Sequence, residues 1–360
     1  MHRPKLLIVI GHTILALNPG STTTKLALFE DESEIAREVL RHGAAELSGH
    51  TGLWEQFDAR WEQLRDWASR HVGKLSAVAA AGGLFRPLPG GTYHVNERML
   101  RDARANLQGE HASNLGCALA CRLAAEYGCE AYVVDPVSVD ELEPLARYSG
   151  HPLIERRSLS HALNIHAAAR RAAGQLGIAL AESAFIVAHL GGGISVAPVR
   201  AGRIIDINDA SSDGPFSPER TGGLPLQAFL TLCFSGSYSE RDMRALVMGR
   251  GGLVAYLGTN SGMEAEERIR GGDQAARQVY EAMAYQIAKE IGAMAAVLAG
   301  RVHAVVLAGG LAESALLVDW IRERVSFIAS LLVFPGEEEM RALAEGALRV
   351  LKGQTQALEY

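Results

Sequence analysis

Four cysteines in 360 residues, Cys117, Cys121, Cys129 and Cys233, are too few and too scattered for a disulfide framework or a C-x-x-C motif. That usage fits a reducing compartment, and the cytoplasm is the expected location. Cys117 and Cys121 lie one helical turn apart, downstream of His111, but small thiols at that spacing are first of all core residues. No apolar run approaches the roughly 18 to 20 residues of a membrane span, and Leu6 to Ile10 is too short for a signal-peptide core. Excess positive charge is lacking as well. A net charge of −6 and a pI near 6.1 argue against nucleic acid or an anionic membrane as the main partner. A Walker A loop is also missing. Gly20 and Lys25 are present, but no second glycine precedes the lysine, and a strand pattern rather than a helix follows it.

What is present is a soluble composition, 48% hydrophobic and 21% charged, in a chain longer than one core comfortably supports, so two domains are expected. The chain is organised around ILALNPGSTTTKLALF, Ile14 to Phe29. Two apolar runs flank the turn chemistry of Asn18 to Lys25, which reads as a hairpin. At its tip Gly20 admits an anion close to the backbone, while Ser21, Thr22, Thr23 and Lys25 supply donors. Phe185 to Arg200 repeats the design around His189, Gly191, Gly192 and Gly193. Third strands are expected near Arg37 to Leu40 and over Arg203 to Ile207. Two meanders half a chain apart imply two related domains, with the tips facing a nucleotide across a cleft.

Between these, Leu53 to His71 carries Leu53, Trp54, Phe57, Trp61, Leu64 and Trp67 at helical spacing, a core stripe. Leu75 to Ala81 is an apolar strand, and Arg86 lies in the Gly/Pro-rich loop after it, where open α/β sheets bind ligands. His111 to Tyr127 reads as a buried helix. Ala131 to Val134 is a strand that delivers Asp135 at its C-terminal end, stopped by a proline. Ser160 to Ala173 reads as a helix linking the domains, with His161 near its start. Asp213 to Gly223 is a long polar loop before a helix near Leu224. Asp273 to Leu298 is a long helix, and the strand Ala304 to Ala308 runs into Gly309, Gly310, Leu311 and Glu313. A tail helix spans Glu337 to Leu351.

NPGSTTTKLALFE (Asn18 to Glu30), GGTYHVNE (Gly90 to Glu97), HASNLG (His111 to Gly116), HLGGGISV (His189 to Val196), GPFSPERTG (Gly214 to Gly222), GGLVAYLGTN (Gly251 to Asn260) and FPGEEEMRALAEGALRVL (Phe334 to Leu351) occur in order. On these motifs the sequence resembles the butyrate kinases of the acetokinase family, in the superfamily of Hsp70 and actin. The resemblance begins at about Ile14, after residues 1 to 13. It implies an α/β fold of two duplicated ribonuclease-H-like, actin-like ATPase domains. Each would be a mixed sheet with a β-meander and flanking helices, with a cleft between. Domains are expected over 1–157 (acyl and phosphate side, the tail helix 337–352 packing back) and 158–336 (nucleotide side).

The implied reaction is reversible, in-line transfer of the ATP γ-phosphoryl group to the carboxylate of a short-chain fatty acid. That nucleophile is ionised near neutral pH, since carboxylates titrate at roughly 4 to 5, so no general base is required. The resemblance makes Arg86 the substrate-binding arginine, Arg220 a second active-site arginine and His161 a transition-state stabiliser. Asp135 would orient metal-bound water or the phosphoryl group. ATP or ADP would meet the two tips and Gly309 to Glu313, and Mg²⁺ would meet Asn18 and Glu313. A homo-oligomer is expected. Two departures leave acyl and nucleotide preference open: Glu313 resembles the acetate kinase pattern, and Ser261 replaces the aspartate of a TND-type segment. Acetate, propionate or isobutyrate kinases, and an ATP-driven binding module like Hsp70 or actin, are the alternatives.

Overall fold

Side chains alternate across a strand, and that alternation builds both halves of this chain. The computed structural model describes residues 11–43 and 52–360. Residues 1–10, including Leu6 to Ile10, lie outside the described residues. By contacts the chain falls into two units, one of residues up to Ser138 together with Glu339–Tyr360, the other Val139–Glu338.

The first unit holds a six-stranded sheet made of β1 (Thr13–Pro19), β2 (Thr23–Glu30), β3 (Ser33–Arg41), β4 (Ala77–Ala81), β5 (Thr92–His94) and β6 (Glu130–Val134). Its order is β3-β2-β1-β4-β6-β5. β1, β2 and β3 form the antiparallel meander, while β4 pairs in parallel with β1 and β6. On one face Leu15, Leu17, Leu26, Leu28 and Val78 pack with Trp61, Leu64 and Trp67 of the helix Phe57–His71 and with the helix Asn114–Tyr127. The aromatic stripe is therefore core, and each such buried side chain contributes roughly 1.5–3 kcal/mol. The helix Glu339–Leu351 packs against β1, β4 and β6. There Gly346 is required, since a Cβ on it would lie 2.4 Å from Val134 Cγ1.

The second unit repeats the plan with β7 (Ala184–Leu190), β8 (Ile194–Arg200), β9 (Arg203–Ile204), β10 (Ala304–Gly309) and β11 (Leu331–Pro335), ordered β11-β10-β7-β8-β9. Read from the meander inward, 9-8-7-10-11 matches 3-2-1-4-6, with the same parallel and antiparallel pairs. The duplication expected from two tips is thus present in the topology. Ile186, Ala188, Leu190, Val305 and Leu307 face the helices Gln274–Val297 and Ala315–Val325. Phe185, Val187, Ala304 and Val306 face the helix Ala162–Leu176.

Three sequence expectations need correction. The helix Ala162–Leu176 packs within the core of the second unit. Val139, Leu142 and Ala146 join that same core, so residues 139–157 belong with the second unit rather than the first. The third strand of the second meander ends at Ile204, not Ile207. There the Asn208 side chain replaces a ladder strand: its Oδ1 accepts from Val196 N at 2.7 Å and its Nδ2 donates to Ile194 O at 3.0 Å.

Candidate active site

The first tip is set by the register Asn18↔Lys25 and Pro19↔Thr24. Gly20 N–H donates to Thr23 O at 2.7 Å, closing the turn. Its carbonyls are turned inward. The guanidinium of Arg60, on the helix beneath, donates to Gly20 O (2.9 Å), Thr23 O (3.1 Å) and Ser21 O (2.9 Å), and His42 N–H takes Thr22 O (2.9 Å). Among the described residues no protein group accepts from the N–H of Ser21 or Thr22. Successive N–H groups without internal partners form an anion-binding concavity, and the Ser21 and Thr22 side chains beside them are exposed. Asn18 Nδ2 donates to Glu339 Oε2 at 2.9 Å, and Lys25 Nζ lies 4.0 Å from the same oxygen.

In the same unit Asp135 stands at the end of β6 with a left-handed backbone, φ 38°, a conformation that costs a non-glycine residue energy and clusters at functional sites. It is 2% exposed, and its Oδ1 accepts from Gly91 N–H at 2.7 Å. Arg86 lies in the loop after β4. Its Nε donates to Asp102 Oδ2 at 2.7 Å, and Tyr360 O–H donates to that same oxygen at 2.9 Å. Backbone N–H of Arg86 donates to Tyr360 Oη at 3.0 Å. Asp102 therefore grips the guanidinium by its inner nitrogen, and the two outer nitrogens have no protein partner among the described residues. The Arg86 hydrogen bond holds the Asp102 carboxyl below its ordinary range, and Asp102 in turn raises Arg86.

The second tip, Gly191–Gly193, is closed by the pair Leu190↔Ile194. Arg220 lies against it. A Cβ on Gly193 would lie 2.3 Å from Arg220 Nη1, so only glycine admits the guanidinium there. Arg220 Nη1 donates to Ala210 O at 2.8 Å, and its backbone N–H donates to Ser217 Oγ at 3.2 Å. Ser217 O–H donates in turn to Gly192 O at 2.6 Å, tying the polar loop to the tip. Burial pushes the Arg220 pKa down, and nearby Glu219 and Asp209 oppose that shift. His161, the residue before the helix Ala162–Leu176, packs against His189 with ring centroids 4.4 Å apart and planes tilted by 32°, and its Nδ1 lies 2.9 Å from Ser195 Oγ. This unit thus gathers His161, His189, Arg220 and Gly191–Gly193.

Gly309 ends β10 at φ 99°, where a Cβ would lie 2.5 Å from Leu190 O. The short 3₁₀ turn Gly310–Glu313 follows, with Leu311 half-buried and Glu313 exposed. Ser261 caps the helix Gly262–Arg270 by accepting from Glu264 N–H at 3.2 Å, a structural duty for the serine at that departure. Cys117 is an inert core thiol, its pKa pushed up to about 12 by burial. No cluster of three or more His, Cys, Asp and Glu suited to a metal occurs among the described residues. An open groove of about 640 Å³ lined by Pro144, Tyr148, Ile154 and neighbours contains none of the residues expected to be functional.

The family description "Acetokinase family" matches residues 148–345, more than half of the chain. The chain belongs to the acetokinase family. A "Probable butyrate kinase" of Listeria innocua is 48% identical over 96% of this acetokinase and 98% of that protein. "Butyrate kinase 2" of Clostridium acetobutylicum is 48% identical over 96% and 99%. Among solved structures, Porphyromonas gingivalis acetate kinase matches with TM-score 0.78 at 16% identity, over 93% of this chain and 99% of that one. A Francisella tularensis propionate kinase matches with TM-score 0.77 at 18% identity, over 93% and 98%. At those identities the likeness shows the fold alone, two α/β units each with a mixed sheet and flanking helices.

Sequence reading missed Arg60 and Glu339 of this acetokinase. Arg60 contacts backbone carbonyls, which leave no side-chain signature. Glu339 is 321 residues from Asn18, and only the triple glutamate at the head of the tail helix hinted at it.

Proposed function

We propose that this protein is a kinase that transfers the ATP γ-phosphoryl group reversibly to the carboxylate of a short-chain fatty acid, butanoate with ATP giving butanoyl phosphate and ADP. The observation that carries the reading is the Arg220 guanidinium lodged against the Gly193 tip, in a chain 48% identical over nearly its whole length to proteins named butyrate kinase. Phosphoryl transfer asks for positioning and charge neutralisation more than for covalent chemistry. The first unit supplies the acyl and phosphate side, through Arg86, Asp135 and the tip residues Asn18, Gly20, Ser21, Thr22, Thr23 and Lys25. The second supplies the nucleotide side, through His161, His189, Gly191–Gly193, Arg220, Gly309, Gly310, Leu311 and Glu313. The outer nitrogens of Arg86 form a fork that suits a carboxylate. Arg220 and His161 neutralise charge that develops on the phosphoryl oxygens. Asp135, buried, orients this group and takes no proton, because the acceptor needs none removed.

Mg²⁺ bound with ATP would neutralise charge between the phosphates. It favours one or two protein oxygens and keeps several waters. The Asn18 amide oxygen and the Glu339 carboxylate, brought together by their hydrogen bond, fit that demand within one unit. Glu313, exposed on the second unit, remains a further oxygen donor. The scattered free thiols support a cytoplasmic setting.

Hydroxylamine trapping of acyl phosphate, run over acetate, propionate, butyrate, isobutyrate and valerate, tests the reading. Acids of about three to five carbons are expected to exceed acetate, because each buried CH₂ contributes roughly 0.8 kcal/mol, about fourfold. Equal or better use of acetate moves the assignment to acetate kinase, and no hydroxamate from any acid leaves an ATP-driven binding module.

The helix Leu226–Cys233 buries none of its side chains, with Leu226, Leu230 and Phe234 exposed. An apolar face of that kind supports association of two or more copies. Light scattering on the eluted protein should give at least a dimer mass, and a monomer mass at micromolar concentration would exclude it.

A further inference from the structure

We propose that Arg60 is a positioning residue for the phosphoryl donor, holding the first tip in its anion-binding form and placing an uncompensated positive charge beneath it. The proposal rests on the reading that nucleotide phosphates meet that tip. Arg60 is 1% exposed, and its whole hydrogen-bonding fork is spent on the tip and one supporting amide. Nη1 donates to Gly20 O, Thr23 O and Thr24 Oγ1 (3.2 Å). Nη2 donates to Ser21 O and to Gln56 Oε1 (2.9 Å), and Nε reaches the same Gln56 oxygen at 3.3 Å.

Two consequences follow from this geometry. A peptide plane whose carbonyl is drawn inward turns its N–H the other way, so tying down the carbonyls of Gly20 and Ser21 fixes the outward direction of the Ser21 and Thr22 N–H groups. The guanidinium also forms no ion pair with any described carboxylate. Burying a cation without a counter-ion is costly, and burial does push the Arg60 pKa down. Carbonyl dipoles meet part of that cost. The rest of the field is directed at the tip, where a polyanion supplies the missing negative charge. A lysine could not reproduce the fork, because an ammonium offers three donors from one point.

Gln56→Glu isolates the charge. The new carboxylate replaces the amide oxygen that Arg60 already contacts, leaves the carbonyl contacts in place and sits at the start of a helix, where negative charge is favourable. Steady-state kinetics with ATP and butyrate should show the KM for ATP rising about tenfold and the KM for butyrate within about twofold of wild type. ADP affinity by titration calorimetry should fall in parallel while the unfolding midpoint is held or raised. Arg60→Lys isolates the geometry: turnover should fall about tenfold or more in protein with a native near-ultraviolet spectrum. A purely structural Arg60 predicts otherwise. Gln56→Glu would then be stable with unchanged KM for ATP and unchanged ADP affinity, and that result overturns the proposal while leaving the kinase reading intact. Folded Arg60→Lys with wild-type turnover overturns the geometric half. Wild-type protein that binds no ADP overturns both the kinase reading and the role given to Arg60.

Discussion

Replacing Arg220 by alanine is expected to lower turnover about 10²- to 10³-fold, the scale for removing one preorganised charge contact from a transition state, and to leave the fold intact. Among the described residues the side chain makes one hydrogen bond to protein, to Ala210 O, and its desolvated charge is offset in part by nearby Glu219 and Asp209, neither of which forms an ion pair with it. A group so placed adds little to stability, and removing it relieves a desolvation cost. The loop itself is held by Ser217 and by backbone bonds that the substitution does not touch, among them Ser217 N–H to Arg220 O at 3.0 Å. Turnover should therefore fall far more than the unfolding midpoint. A folded Arg220→Ala protein with turnover within a few-fold of wild type would remove this loop from the mechanism.

Arg86→Ala should lose roughly 10²-fold in kcat/KM for the acid, again as a lost charge-assisted contact. Asp102→Asn should lose less, because the arginine keeps its charge and gives up only the partner that aims it. The two effects should not add, since Asp102 is argued to act through Arg86. If the double variant shows the full product of the single losses, Asp102 acts by another route. The pH behaviour has a definite sign. With its carboxyl depressed, Asp102 holds Arg86 fully at pH above the usual carboxylate pKa, and the arrangement is lost only as pH falls through the lowered value. An acid limb attributable to this pair must therefore lie below about pH 4.

The central strands and both tips were legible because apolar runs bounded by turn residues leave marks in the chain itself, whereas the edge strands Thr92–His94 and Leu331–Pro335 were not read. Asn18 to Lys25 and His189 to Gly193 each stand at a hairpin end as expected. Asp135 and His161 fall at a strand end and a helix start, and Arg86 and Arg220 in Gly/Pro-rich loops, placements that local patterns convey. What was not legible depends on partners distant in sequence or on the main chain. Arg60 lies on a helix that reads as an ordinary core stripe, and nothing in that stripe announces that one charged position turns inward to bind carbonyls. The Asn18–Glu339 contact depends on the tail helix reaching the first sheet. Ile205 to Ile207 looked like a strand because two isoleucines alternate with Asp206; Ile205 N–H still donates to Pro198 O at 3.2 Å, but beyond it the Asn208 side chain takes the Val196 N–H and the Ile194 O of the ladder.

The tail helix has a consequence for how the chain reaches this state. Its residues complete the first unit, but 200 residues of the second unit, Val139–Glu338, are synthesised before them. At roughly 5–20 residues per second on the ribosome, that insertion separates the two parts of the first unit by about 10–40 s. During that interval the face of β1, β4 and β6 has no helix over it, and Val134 waits for Gly346. The uninterrupted second unit is free to fold as soon as it emerges. The order of maturation therefore runs against the order of the sequence, and the half that begins first is finished last.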